Sequence, residues 1–158
     1  MSALPAGRHF FRNDDGYEAA RRGTVWHQRM PERYPEVIVQ AADAGDIIAG
    51  LGYAKANGLT VSIVSGGHGF AASHLRDGAV LLEVSRLNHA DIDAENARAV
   101  VAPGKGGSLL MADLQEQKLF FPGGHCKASV SVVTCCRADT AGTAGSTARP
   151  ARASSAST

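Results

Sequence analysis

The stretch Ala79–Val84 reads AVLLEV and is apolar apart from its glutamate, with none of the alternation of a half-buried strand. Such a strand is stable only with both faces covered, as in the interior of a parallel sheet layered between other elements. A second run, EVIVQAAD, gives a short buried strand centred on Val37, Ile38 and Val39. Asp43 is placed to cap a following helix, with Asp46 near its positive end. Ile47, Leu51 and Ala54 share one face at helical spacing, and Gly58 is placed to end the helix. Gly50 and Gly52 weaken it, each by up to about 1 kcal/mol relative to alanine. LTVSIV is then a strand, so Val37 to Val64 reads as a β-α-β unit for which parallel pairing is expected.

Three further elements follow. DIDAENARAVVAPG reads as a hairpin turning near Glu95 and Asn96, with Pro103 and Gly104 ending its second strand. Asp91, Asp93 and Glu95 alternate along it as a solvated face. Ser108 is placed to cap a helix carrying Leu109, Leu110 and Leu114. Upstream, residues 1–35 hold most of the aromatics and several arginines, and read as a docking arm with a short helix from about Gly16 to Arg22.

The bulk properties fit a soluble α/β chain. At 158 residues the chain is one domain or part of one, and its formal charge of +1 argues against nucleic acid as a partner. No apolar run reaches membrane-spanning length, so a membrane partner is not expected. MSALPAGRHFFRNDD lacks a basic-then-apolar leader, and a cytoplasmic location is the expectation. Cys126, Cys135 and Cys136 form an odd, clustered set that does not read as a disulfide framework.

Two turns carry the residues of chemical interest. SGGHG, Ser65 to Gly69, follows a strand, and its adjacent glycines let backbone N–H groups approach an anion such as a pyrophosphate. His68 would then be held at a cofactor edge, although on local pattern alone a tight turn with an exposed histidine is the simpler reading. GGHC, Gly123 to Cys126, sets a histidine beside a cysteine and could favour the thiolate; a reduced cysteine without a role is the plainer reading. Zinc at His125, Cys126, Cys135 and Cys136 is disfavoured, because the adjacent pairs lack the gaps of structural zinc sites. PGKGGS, Pro103 to Ser108, fails as a phosphate loop, since Lys105 is followed by glycine and Ala99 stands where a glycine is required.

The order of these elements resembles the FAD-linked oxidases of the vanillyl-alcohol-oxidase and berberine-bridge-enzyme type. The resemblance runs from about Tyr34 to Lys127 and is carried by RYPEVIVQAAD, VSGGHG with the later LLEVSRLN, and LFFPGGHC. It departs at Val64, where many relatives have arginine, and at Gly69, where serine is common. The resemblance implies an α/β (α+β) chain forming the N-terminal half of a PCMH-type FAD-binding domain. Ser65, Gly66, Gly67 and Gly69 match the loop around the pyrophosphate, and Gly124 belongs to the second cofactor turn. His68 matches the histidine joined to the flavin 8α-methyl carbon, and Cys126 the cysteine joined to C6 in doubly linked members. FAD is the implied cofactor, bicovalent through His68 and Cys126 if the doubly linked pattern holds; two tethers should make the ring easier to reduce. The implied reaction passes a hydride from an alcohol or sugar-like small molecule to flavin N5, with oxygen reoxidising the ring. Two other readings stand beside it: a non-catalytic flavin- or nucleotide-binding module, and a cofactor-free α/β interaction protein.

The segment 128–158 does not continue this pattern, so the chain divides into an arm (1–35), a partial FAD-binding domain (36–127) and a low-complexity tail. Of its 31 residues 21 are Ala, Ser, Thr or Gly, and none is Leu, Ile, Met or aromatic. Such composition cannot offset the entropy of ordering, and disorder is expected. An account of the break is that the tail is family sequence read out of frame after loss of one nucleotide near Lys127. Restoring the frame requires residues with G-initial codons wherever glycine is needed, and Val132, Val133, Ala138, Asp139 and Ala141 all comply. Cys135–Cys136 then encodes leucine, and Asp139–Thr140 tyrosine or histidine. On this account the isolated chain lacks half the flavin cradle and the substrate site. Sequencing the coding DNA checks it: the shifted frame is expected to read Gly-Gly-Tyr-Leu-Leu-Gln-Gly-Gly-Tyr-Gly-Trp-Asn over Val132 to Thr143, and codons that cannot yield this exclude it.

Overall fold

The computed structural model describes residues 4–5, 8–27, 29–122 and 149–150. Its chain divides into two units, Met1–Leu87 and Asn88–Thr158.

The first unit is built on a four-stranded sheet. Strands β1 (His9–Phe11), β2 (Val37–Gln40), β3 (Val61–Val64) and β4 (Val80–Glu83) lie in the order β1-β2-β4-β3. β4 runs parallel to both neighbours, pairing Leu81 with Ile38 on one side and with Ser62 on the other. The expected β-α-β unit is present, but its two strands are not adjacent: β4 is inserted between them. The reason is in the side chains. Val80, Leu81 and Leu82 are at most 1% exposed and need neighbours on every side, whereas Ile63 of β3 is 63% exposed and tolerates the edge. β1 pairs antiparallel with β2, matching His9 to Val39 and Phe11 to Val37, so part of the arm belongs to the sheet.

Alternation along the strands divides the core in two. Val37, Val39, Val80, Leu82 and Val84 pack with Ala54, Ile47 and Tyr53 of helix α2 (Ala44–Ala56). Ile38, Leu81 and Val64 pack on the opposite face with Tyr17, Val25, Ala72 and Leu75. Asp43 caps α2 as expected, its Oδ1 accepting the Asp46 N–H at 2.9 Å. The Asp46 carboxylate accepts the Ala42 N–H and the Arg8 guanidinium, each at 2.8 Å. Burial opposes its charge, but these donors hold it below the usual carboxylate range. Gly58, at φ +64°, follows the helix end as the sequence suggested. Leu51 differs from expectation and is 46% exposed. The face turned to the sheet is that of Gly50, where a Cβ would lie 2.6 Å from Leu82 Cδ2. The helix sits so close that a side chain there would push the Leu82 methyl aside, and Leu51 faces outward.

Helix α1 (Tyr17–Gly23) lies within one residue of its expected bounds. Tyr17 donates its hydroxyl to the Pro35 carbonyl at 2.6 Å. Desolvation pushes its pKa up to about 12, against the nearby Arg21 and Arg12 charges. Arg21 is almost fully buried. It pairs through Nε and Nη2 with both oxygens of Glu18, at 2.7 and 2.9 Å, and donates Nη1 to the carbonyls of Pro31 and Arg33. Its guanidinium also lies 4.6 Å from the centre of the Tyr34 ring.

The second unit contains the expected hairpin, β5 (Ala90–Asp93) and β6 (Arg98–Val101), with Ala90 opposite Val101. Asn96 closes its turn onto Asp93, and Ala97 adopts φ +51°. Asp91, Asp93 and Glu95 are solvated. Helix α3 (Gly107–Glu116) buries Leu110 and Leu114, while Leu109 is 57% exposed. Its N-cap is Gly106 rather than Ser108, which already lies inside the first turn. Strand β7 (Leu119–Phe120) pairs antiparallel with β8 (Arg149–Pro150). The rest of segment 128–158, with the expectation of disorder made for it, lies outside the described residues.

Candidate functional site

The loop of interest leaves the carboxyl end of β3, where ligands of open α/β sheets tend to sit. Ser65, Gly66, Gly67 and His68 are half-buried, and Gly69 and Phe70 are exposed. Gly67 has φ +63°, and a Cβ there would collide with the carbonyl oxygen of Thr24. Glycine is therefore required twice, by conformation and by contact. Gly69 has no atom within 4 Å of where a Cβ would stand, so a side chain is tolerated there. Beyond it the chain turns tightly: the Ala72 N–H bonds the Gly69 carbonyl at 3.0 Å, and the Leu75 N–H the Ala72 carbonyl at 3.0 Å. Ala72, at φ +41°, is buried with Leu75 in the core, which ties the loop down at its far end.

The near side of the loop is held by the segment after α1. Thr24 donates its hydroxyl to the Arg21 carbonyl at 2.7 Å. That spends its proton, so the 3.2 Å contact between Thr24 Oγ1 and His74 Nε2 is a bond donated by the imidazole. The Trp26 indole N–H donates to the His68 carbonyl at 3.0 Å. The two rings lie 22° from parallel with centres 6.0 Å apart. Next along, His27 Nε2 lies 3.0 Å from the Phe70 carbonyl, and these rings are stacked at 5.8 Å. Arg33 donates to the Ala71 carbonyl, and the Tyr34 N–H to Asp77 at 2.7 Å. The arm is thus the wall against which the loop is moulded. Thr24, Trp26, His27, Arg33 and His74 were not among the residues singled out from sequence. For Thr24, Trp26 and His27 the available signal was the polar-aromatic run TVWHQR directly after a helix.

Burial lowers the pKa of His74, and the Arg33 charge adds to this, favouring a neutral ring. Of the remaining sequence-derived candidates, Gly124, His125, Cys126, Cys135 and Cys136 lie outside the described residues. In the second unit Lys105 pairs with Asp113 at 2.5 Å beside the start of α3. Among the described residues no group of His, Cys, Asp and Glu could hold a metal ion, and no helix is long and apolar enough to cross a membrane.

Comparison with known proteins gives the site a context. The sequence model of a family described as FAD binding domain matches residues 35–147. The FAD-linked oxidoreductase nodO of Hypoxylon pulicicidum is 33% identical over 109 residues, 69% of this chain and 24% of that protein. The (R)-6-hydroxynicotine oxidase of Paenarthrobacter nicotinovorans is 30% identical over 115 residues, 73% of this chain and 24% of that protein. The chain therefore spans about a quarter of the length of these relatives. Among solved structures, 6-hydroxy-D-nicotine oxidase from Arthrobacter nicotinovorans superposes with a TM-score of 0.70 at 27% identity, covering 83% of this chain and 29% of that one. A BBE-like protein of Physcomitrella patens shares the fold, with a TM-score of 0.70 at 21% identity over 81% of this chain and 28% of its own. The expected PCMH-type architecture agrees with these neighbours.

Two outcomes follow from the loop geometry. Replacing Gly67 by alanine is expected to destabilise the unit by more than about 2 kcal/mol, from left-handed strain plus collision with backbone that cannot swing away. Chemical denaturation measures this; Gly69→Ala, in open space, is the contrasting variant. His74 titrates lower when folded than when unfolded, so its stabilising contribution is complete above the unfolded value of about 6.5 and is lost as pH falls through the folded value. A denaturant midpoint that drops across this acidic window, and drops less in His74→Gln, is the expected observation.

Proposed function

The chain belongs to the FAD binding domain family, and from that premise we propose that it is the cofactor-holding part of an FAD-linked oxidoreductase whose substrate is a small alcohol or sugar-like molecule and whose acceptor is dioxygen. The observation that carries this reading is the position of SGGHG. The loop emerges at the carboxyl end of a parallel strand, is accessible from solvent, and turns at Gly67 in a left-handed conformation close against the Thr24 carbonyl. Ser65, Gly66, Gly67 and Gly69 fit a pyrophosphate, because small residues let an anion reach the backbone. His68 follows the glycines directly and is the residue proposed to bond the flavin 8α-methyl carbon. Cys126, with Gly124 in its turn, is proposed as the second attachment point. When bound, FAD supplies the hydride-accepting chemistry; the protein supplies binding and orientation.

The remaining roles belong to the scaffold. Thr24 fixes the turn at Gly67 by contact, and Ala72 and Leu75 anchor the far end of the loop in the core. None of the candidate residues is assigned to substrate. We therefore propose that this polypeptide by itself does not turn over, and that the segment after Lys127 is the family sequence in a shifted frame. The family match continues to residue 147 in the frame as given, which counts against the shift, and the coding DNA decides.

Expression with added FAD, acid precipitation and a visible spectrum of the pellet test the reading. A yellow, acid-stable pellet is expected from a full-length, frame-restored chain, retained through the remaining tether in His68→Ala or Cys126→Ala and lost in the double variant. A colourless pellet from that chain excludes covalent attachment, and the absence of any flavin after gel filtration excludes the cofactor role. Hydrogen peroxide release by the 158-residue chain would overturn its proposed inactivity.

A further inference from the structure

Trp26 presents an unusual combination. It is 52% exposed, so packing does not account for its position, yet its one polar atom is spent on a loop carbonyl 42 residues away. That carbonyl is His68's own, and the indole face also lies against the His68 ring. The indole also meets the Phe70 ring edge to face, with centres 5.2 Å apart. Trp26 thus holds His68 at two points, backbone and side chain, while His27 holds Phe70 in the same way. Two contacts, one to its backbone and one to its ring, narrow the rotamers open to the imidazole more than a hydrogen bond to the backbone alone would.

We propose that Trp26 is a positioning residue for His68, and that Trp26 with His27 forms a clasp that presets the imidazole before cofactor arrives. The proposal rests on the reading of His68 as the flavin attachment residue, but the clasp itself does not require flavin to be detected. The indole does not react; it narrows the orientations from which His68 can. A preset ring matters most for bond formation and least for loose binding, because reaction demands alignment that affinity does not.

The test separates these. Hydrogen exchange followed by mass spectrometry on the cofactor-free protein is expected to show peptides covering Ser65 to Phe70 exchanging about fivefold or more faster in Trp26→Ala, with β2 and β4 peptides unchanged. Trp26→Phe keeps a ring and loses the N–H donor, and is expected to fall between. Should Trp26→Ala loosen the whole unit, Trp26→Phe decides: loop exchange at the wild-type rate overturns the clasp. In the frame-restored chain carrying Cys126→Ala and loaded with FAD, Trp26→Ala is expected to retain bound flavin while the acid-stable fraction, then reporting His68 alone, falls. An unchanged acid-stable fraction overturns the positioning role. A wild-type protein that takes up no flavin removes the cofactor reading instead, leaving the exchange result to decide the clasp.

Discussion

The arrangement around SGGHG depends on the buried guanidinium of Arg21. Unpaired, such a charge in the core would cost several kcal/mol. Here both oxygens of Glu18, two backbone carbonyls and the face of Tyr34 surround it. The carbonyls belong to Pro31 and Arg33, so the ion draws the irregular segment after α1 into a fixed path. The Arg21 carbonyl in turn accepts the Thr24 hydroxyl, which sets the carbonyl of Thr24 against Gly67. A salt bridge to a half-exposed glutamate would contribute little by itself. Its consequence lies in geometry: one planar cation, with its donors in a rigid fork, determines where the wall of the loop stands.

Much of the sheet was legible because its signals are local. Asp43 as a cap, Gly58 as a terminator and the apolar run Ala79–Val84 each carry their meaning within a few residues, and the structure bears them out. Strand order was not legible in the same way, since β4 separates two strands that precede it in sequence. β1 escaped notice because HFF is only three residues long, too short for an alternating pattern to show, although its phenylalanines favour an extended chain. Leu51 was misplaced because helical periodicity ranks residues by hydrophobicity, and the contact here is made by a residue with no side chain.

The candidate site divides along the same line. The glycines and His68 could be picked out because adjacent glycines after a strand carry a physical requirement that one can read directly. Trp26, His27 and His74 could not, since their purpose lies in contacts with or from residues 42 to 50 positions away. In sequence they are an aromatic, two imidazoles and nothing more. The fold class and the cofactor family were thus accessible from pattern, and the residues that shape the loop only from the path of the arm.

The contact between Thr24 and Gly67 also bears on how this domain can be cut. The family match begins at residue 35, and a designer following it would start a minimal version there. Such a version would keep every glycine of the loop and His68. It would discard the carbonyl that Gly67 is shaped around, the indole over His68, and the strand that closes one edge of the sheet. The working boundary of the unit lies upstream of residue 35, before Leu4, which packs on the core, and Arg8, which pairs with Asp46.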